Sequence, residues 1–307
     1  MKRLIMLLSV MWIFMGMECG PYPFHFPLPG ENFQRNPNLH LFMSPHPGVG
    51  FFQPIFSPSE DKVFFIKSDT LQDGLSYVLT SSKDTIYDLV DDSVITYAVS
   101  HDGNEIIYVK GGEIGRHWGY FEPTGEQTLV RIDANTGNTI DEIDITSLYV
   151  WHIEYTSNDS SVIFSGSDTA DFNSFFSDTV NIYSLNLYTK RESLMISHTP
   201  TTFTLINDSI FYDFDLYYPQ VNPVSPHQII RLGDCPLNDE FDEDIILVNL
   251  FSQTITCLNA KPYYWTAIPY ASWSPDGNKI VFSAAKPQEG GIHHDAERFE
   301  IWILNLS

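Results

Sequence analysis

Side chains able to do chemistry gather in four stretches of this chain, each rich in aromatic and ionisable residues. Residues 110–127 carry Arg116, His117, Trp118 and Tyr120; residues 166–179 carry Asp168, Asp171 and Asp178 among Phe172, Phe175 and Phe176. Residues 213–243 carry Asp213, Asp215, Tyr217, Tyr218, His227 and Arg231, and residues 283–299 carry His293, His294, Asp295 and Arg298. Rings supply contact area and carboxylates accept hydrogen bonds, a combination that suits a sugar or peptide ligand. The candidate ligand-binding residues are Arg116, His117, Trp118, Tyr120, Asp171, Asp215, Tyr217, Tyr218 and His294. The three phenylalanines serve equally well to hold their own stretch against the protein.

Metal and catalytic signatures are weaker. Asn238-Asp-Glu-Phe-Asp-Glu-Asp244 is the densest acidic run and offers oxygens that Ca²⁺ accepts, but it lacks the glycine and the closing glutamate of an EF-hand loop, so a solvated loop accounts for it. His293 and His294 are adjacent, and adjacent side chains point apart in most backbones, so no metal or other cofactor is expected. No Gly-x-Ser-x-Gly elbow, phosphate-binding loop, dinucleotide fingerprint, His-Glu-x-x-His or Cys-x-x-Cys occurs.

The elements that must position these stretches are strands. A frame beginning with a small hydroxyl residue and ending on an aromatic recurs as Ser57–Phe65, Ser100–Tyr108, Thr156–Phe164, Thr204–Tyr212 and Ser274–Phe282. Its middle holds turn residues, clearest in Ser274-Pro-Asp-Gly-Asn278, and its end keeps the period of two of a half-buried strand. A third strand follows each frame, at residues 75–80, 128–133, 181–186, 244–249 and 300–305, the last three ending in asparagine. Four units go on to a fourth strand, at residues 85–90, 139–144, 192–196 and 253–258, and the fifth does not.

Starts lie 43, 56, 48 and 70 residues apart, near the roughly 40–50 residues of a four-stranded propeller blade carrying insertions. The repeat resembles the WD-like unit of TolB-type β-propellers, also present in the propeller domains of prolyl-oligopeptidase-type peptidases. The resemblance covers residues 50–307 and implies an all-β propeller of four-stranded antiparallel blades. There are five blades, or six if one is degenerate or missing. A β-sandwich also accommodates many short strands but has no need of five matched frames. Closure requires a strand from the other terminus beside the last third strand, and Asn38-Leu-His-Leu-Phe-Met-Ser44 is the candidate. The four ligand-rich stretches then all fall between second and third strands and emerge on one face.

Three regions divide the chain: a leader over residues 1–19, a Pro-rich linker over 20–50 and the propeller over 51–307. Met1–Met17 has a basic start and an apolar run too short for a membrane span of about 20 residues, which reads as a secretory signal. Cys19 follows it as the candidate lipidation site, although Glu18 departs from a lipoprotein signal, which takes a small residue there. With an exported chain, Cys235 and Cys257 are free to form a disulfide. Sixteen Lys and Arg against 39 Asp and Glu give a net charge of −23, which excludes nucleic acid as a partner and disfavours anionic membranes.

Two function classes follow. One is an exported binding module, periplasmic, at the cell surface or secreted, that takes a protein or glycan of the cell envelope on the long-loop face. The other is a polysaccharide-active lyase or glycosidase on the same face, which requires paired carboxylates such as Asp171 and Asp215 roughly 5–10 Å apart.

Overall fold

The turn frame does in three dimensions what its residue types imply. In a computed structural model, the N–H of Ser57, Ser100, Thr156 and Ser274 donates to the carbonyl five residues on, at 2.9 Å in each case. The hydroxyl closes the same loop a second time: Lys279 N–H donates to Ser274 Oγ at 2.9 Å, Glu105 N–H to Ser100 Oγ at 2.9 Å, and Thr156 Oγ1 to the Ser161 carbonyl at 2.9 Å. The structure describes most of residues 35–306; residues 1–34, 168–179, 199–203, 212–219, 235–242 and 287–298, with shorter connecting stretches, lie outside the description.

Among the described residues, five four-stranded antiparallel sheets result. Blade 1 is Val49–Phe56, Lys62–Asp69, Ser76–Ser82 and Thr85–Val90. Blade 2 is Val94–Val99, Glu105–Lys110, Thr128–Asp133 and Thr139–Asp144. Blade 3 is Tyr149–Tyr155, Ser161–Ser167, Val180–Asn186 and Arg191–His198. Blade 4 is Gln220–Val221, Gln228–Asp234, Glu243–Asn249 and Thr254–Cys257. Blade 5 is Tyr270–Trp273, Lys279–Ala285, Phe299–Asn305 and, from the other end of the chain, Leu39–Met43.

That last strand supplies the expected closure. Leu39 pairs with Leu304, His40 with Ile303 and Leu41 with Trp302. A polar clasp fixes it: the buried Glu300 carboxylate accepts from Ser44 Oγ at 2.8 Å, Tyr263 Oη at 2.6 Å and Trp302 Nε1 at 3.1 Å. Arg35 lays its guanidinium 5.1 Å from the centre of the Trp302 ring and donates from Nε to the Pro262 carbonyl at 3.0 Å.

Asparagine or aspartate ends the third strand for a physical reason. The Oδ1 of Asp133, Asn186 and Asn249 accepts the N–H groups two and three residues on, at 2.8–3.1 Å, so one side chain turns the chain into the fourth strand. Asn305 holds the same place in blade 5, where the neighbouring strand is the N-terminal one.

The fourth repeat is a correction. Thr204–Ile206 and Ser209–Phe211 pair only with each other, as a hairpin outside the blades, and the true first turn of blade 4 runs from Asn222 to Gln228. The stretch from Asp213 to Glu243 is therefore not one insertion. It includes the first two strands of blade 4, and places His227 in a tight turn and Arg231 within a strand. Asn222 replaces the hydroxyl residue: its Oδ1 accepts from Val224 and Ser225 N–H, both at 2.9 Å.

Neighbouring blades meet through alternate faces of their strands. Phe64, Ile66, Ile106 and Val130 fill the seam between blades 1 and 2; Ile107, Leu129, Val162 and Phe164 that between blades 2 and 3. Ile230, Ile245, Phe282 and Trp302 fill the seam between blades 4 and 5, and Phe51, Phe65, Val281 and Ile301 that between blades 5 and 1. The seam between blades 3 and 4 has no shared apolar cluster among the described residues. Blade 3 turns His152, Glu154, Ile163 and Ser184 that way, the strand positions alternating with its apolar Ile153, Tyr155, Val162, Phe164, Tyr183 and Leu185.

Candidate functional site

Each blade contributes its first strand to the wall of a central cavity of about 270 Å³, lined by residues 53–55, 97, 99, 101, 152–155, 220–221 and 270–272. These residues lie near the ends of the first strands, so the cavity occupies the half of the disc nearer the tight turns. The hairpin inserted between the second and third strands of blade 2, Glu113–His117 and Tyr120–Thr124, leaves from the opposite face.

Blades 1 and 2 build the rigid part of the wall. A bulge at Gln53 and Pro54 breaks the register between Phe52 and Ile55 and puts Gln53 at a φ of 48°, in the left-handed region. Its Nε2 donates to Thr96 Oγ1 at 2.8 Å, and its carbonyl accepts from Tyr97 Oη at 2.8 Å, so the strain is held from both sides. Burial raises the Tyr97 phenol well above its ordinary range, keeping it a neutral donor.

Blades 3 and 4 build the ionisable part. Glu154 Oε1 accepts from Gln220 Nε2 at 2.9 Å and lies 3.2 Å from His152 Nε2. Both contacts fall on one oxygen, which leaves Oε2 without a partner among the described residues, and the side chain is 52% exposed. Burial within the channel works to raise the Glu154 carboxyl. The hydrogen bond and charge of His152, the Gln220 amide and the charge of His101 outweigh it, and the group titrates below its ordinary range. At the rim, Asp159 accepts from the His101 backbone N–H and lies 2.7 Å from its Nδ1. Tyr155 buries its ring in the seam with blade 2. Its hydroxyl is held neutral far beyond its usual range, first by burial and then by the charge of Glu105.

An ionised carboxylate with a free oxygen, flanked by an amide and two imidazoles, accepts hydrogen bonds from an N–H donor and favours a positive one. Among the described residues, no group of three or more His, Cys, Asp or Glu is arranged to hold a metal. Asp244, from the acidic run weighed for Ca²⁺, serves the fold: it accepts from Ile245, Asn259 and Ala260 N–H at 2.7–2.9 Å, and burial raises its carboxyl.

Of the residues expected to bind ligand, Arg116, His117 and Tyr120 lie on a hairpin of Glu113–His117 and Tyr120–Thr124 inserted in blade 2, with His117 opposite Tyr120. Trp118, Asp171, Asp215, Tyr217, Tyr218 and His294 lie outside the described residues, as do Cys19 and Cys235. Cys257 takes part in a disulfide. The cavity group of His101, His152, Glu154 and Gln220 was not singled out from the sequence. Its signal was in the first strand of blade 3, where polar residues stand at both alternate positions of Trp151-His-Ile-Glu-Tyr155.

Five antiparallel four-stranded blades around a central cavity, the last completed by an N-terminal strand, define a β-propeller. No protein-family model and no curated protein matches the sequence. Among solved structures, the chain is similar to TolB from Acinetobacter baumannii, at 13% identity over 84% of this chain and 54% of that one, with a TM-score of 0.42. It thus spans little more than half the length of that protein. It is also similar to an oligogalacturonate lyase from Vibrio parahaemolyticus, at 15% identity over 84% and 78% of the two chains and a TM-score of 0.40. A third is the β-propeller domain of the Trilobed protease from Pyrococcus furiosus, described as having an open velcro topology, at 8% identity over 78% and 79% and a TM-score of 0.43.

Proposed function

We propose that this chain is an exported, non-catalytic binding module that takes a protein or glycan partner of the cell envelope, with the mouth of the central channel as its contact point. The observation that carries the reading is Glu154: an ionised carboxylate with one oxygen free, in a cavity to which every blade contributes. A ligand presenting an amine, guanidinium or amide N–H satisfies that oxygen, and the net charge of −23 draws cationic partners toward it. Export rests on the apolar leader of Met1–Met17; no helix among the described residues is long and apolar enough to cross a membrane.

The test uses the full chain with a panel of short Lys- and Arg-containing peptides and neutral oligosaccharides, read by calorimetry. Binding by members of one class that weakens about tenfold or more in Glu154→Gln supports the reading, since hydrogen bonds to charged groups are worth that much. Binding that ignores Glu154 but is lost when the blade 2 hairpin from Glu113 to Thr124 is trimmed moves the site to the long-loop face. Turnover of an oligosaccharide by the wild-type chain overturns the non-catalytic assignment.

A further inference from the structure

Blade 4 differs from its siblings at the rim. Its first turn is one residue longer, Asn222 N–H reaching the carbonyl of Gln228, and two prolines hold Val224 at its tip, 66% exposed. The turn between the third and fourth strands of the same blade presents Phe251, 84% exposed, and Leu250, 47% exposed. The two turns are joined: Leu250 N–H donates to the His227 carbonyl at 2.7 Å, and the His227 and Phe251 rings lie 6.0 Å apart. At the inner end, Val221 lines the channel and is itself 53% exposed. Apolar side chains thus run from the channel wall across both rim turns of one blade. Tyr188, Leu194, Ile140 and Leu41, also exposed, belong to three other blades.

We propose that this strip is a docking surface for an extended segment of a partner protein, which lays apolar side chains over Val221, Val224 and Phe251 and sets a Lys or Arg beside Glu154 Oε2. The inference rests on the channel reading above and names its partner. Continuity joins the two parts, because Val221 belongs to the channel and to the strip, and its neighbour Gln220 holds Glu154. Charge complementarity supplies the basic residue, since Glu154 lines this mouth in a strongly acidic chain. Two valines and an outward phenylalanine offer no hydrogen-bonding groups to sugar hydroxyls. They do suit the side chains of a peptide, as exposed apolar surface bordered by polar groups does at protein interfaces.

A library of short random peptides displayed on phage, selected against the full chain, tests the idea. Enriched peptides are synthesised and measured by fluorescence anisotropy against the wild type, Glu154→Gln and the double variant Val224→Ser/Phe251→Ser. Both replaced rim residues are exposed, and circular dichroism checks the fold. The expected result is peptides that pair a basic residue with apolar ones and that lose about tenfold or more on the double variant, the loss typical of a binding hot spot. Glu154→Gln then weakens the parent peptide but not one whose basic residue is replaced by Gln. Peptides that depend on Glu154 and ignore the double variant overturn the strip and leave the channel reading standing. Failure of any peptide to enrich, or affinity indifferent to both changes, overturns the strip, and the channel reading then stands or falls on the oligosaccharide binding measured with Glu154→Gln.

Discussion

Four seams of this propeller are built alike, and the seam between blades 3 and 4 is built differently. Each of the four has an apolar filling and, at the rim, a latch between first turns. The latches come in two kinds that depend on the fourth residue of the turn frame, which must adopt a left-handed φ. Gly103 and Gly277 adopt it freely and let the turn approach its neighbour closely, Gly103 against Pro58 and Gly277 against Asn222. Glu60 and Asp159 adopt it at φ of 58° and 53°, and each uses its carboxylate across a seam. Glu60 accepts from Asp276 N–H and pairs with Lys279; Asp159 accepts from His101 N–H. At the fifth seam, among the described residues, the Gln220 to Glu154 bond stands in the place of latch and filling. Four seams are organised for stability, and the fifth keeps its polar groups available.

The contrast can be broken most forcefully at an apolar seam. Phe282→Ala, at a fully buried position between blades 4 and 5, is expected to cost about 3–5 kcal/mol by denaturant unfolding. Gly277→Ala comes next: its new methyl collides with the Asn222 amide at a φ of 70°, and a loss of about 1–3 kcal/mol is expected in the same measurement. A comparable loss from Glu154→Gln would erase the distinction between the seams. The expected change there is under about 1 kcal/mol, because the charge is half exposed and its amide partner is kept.

Glu60→Gly sharpens the comparison further. It relieves left-handed strain while removing the pair with Lys279, and the two effects are expected to cancel to within about 1 kcal/mol in thermal unfolding.

The smallest effect is one of pH. The Ser274 hydroxyl, then the Asn278 N–H, hold the Asp276 carboxyl at about 2, and similar turn contacts depress Asp102 and Asp133. These groups bind protons more weakly folded than unfolded, so their contribution is complete above the ordinary carboxylate range. It fades as pH falls from about 4 toward 2. The midpoint of thermal unfolding followed across that window is expected to drop, and Asp276→Asn to flatten the drop.

Much of the architecture was legible because local chemistry repeats. The hydroxyl-first frame marked four of the five first turns, since each one folds by the same two bonds to the carbonyl and N–H five residues on. The strand from Thr139 to Asp144 and the closing strand could be placed for the same reason: alternation and an unpaired edge demand them. Blade 4 was misread because Asn222-Pro-Val-Ser-Pro-His227 performs the turn with an amide and an extra residue, whereas the strands Thr204–Ile206 and Ser209–Phe211, which fall in the frame by sequence, form an isolated hairpin. The channel group was not legible. His101 and His152 are 51 residues apart and Gln220 another 68 further on, and only radial closure brings the first strands of three blades together.

The clasp at Glu300 also sets a schedule for the growing chain. Leu39 leaves the ribosome 265 residues before its partner Leu304, a wait of roughly 15–50 s at about 5–20 residues per second. Throughout that time the first strand made has no edge to join, and blade 5 cannot be completed. The contact made last is thus the longest in sequence. Early blades are free to assemble in order, and the ring becomes one cooperative unit only at the final step.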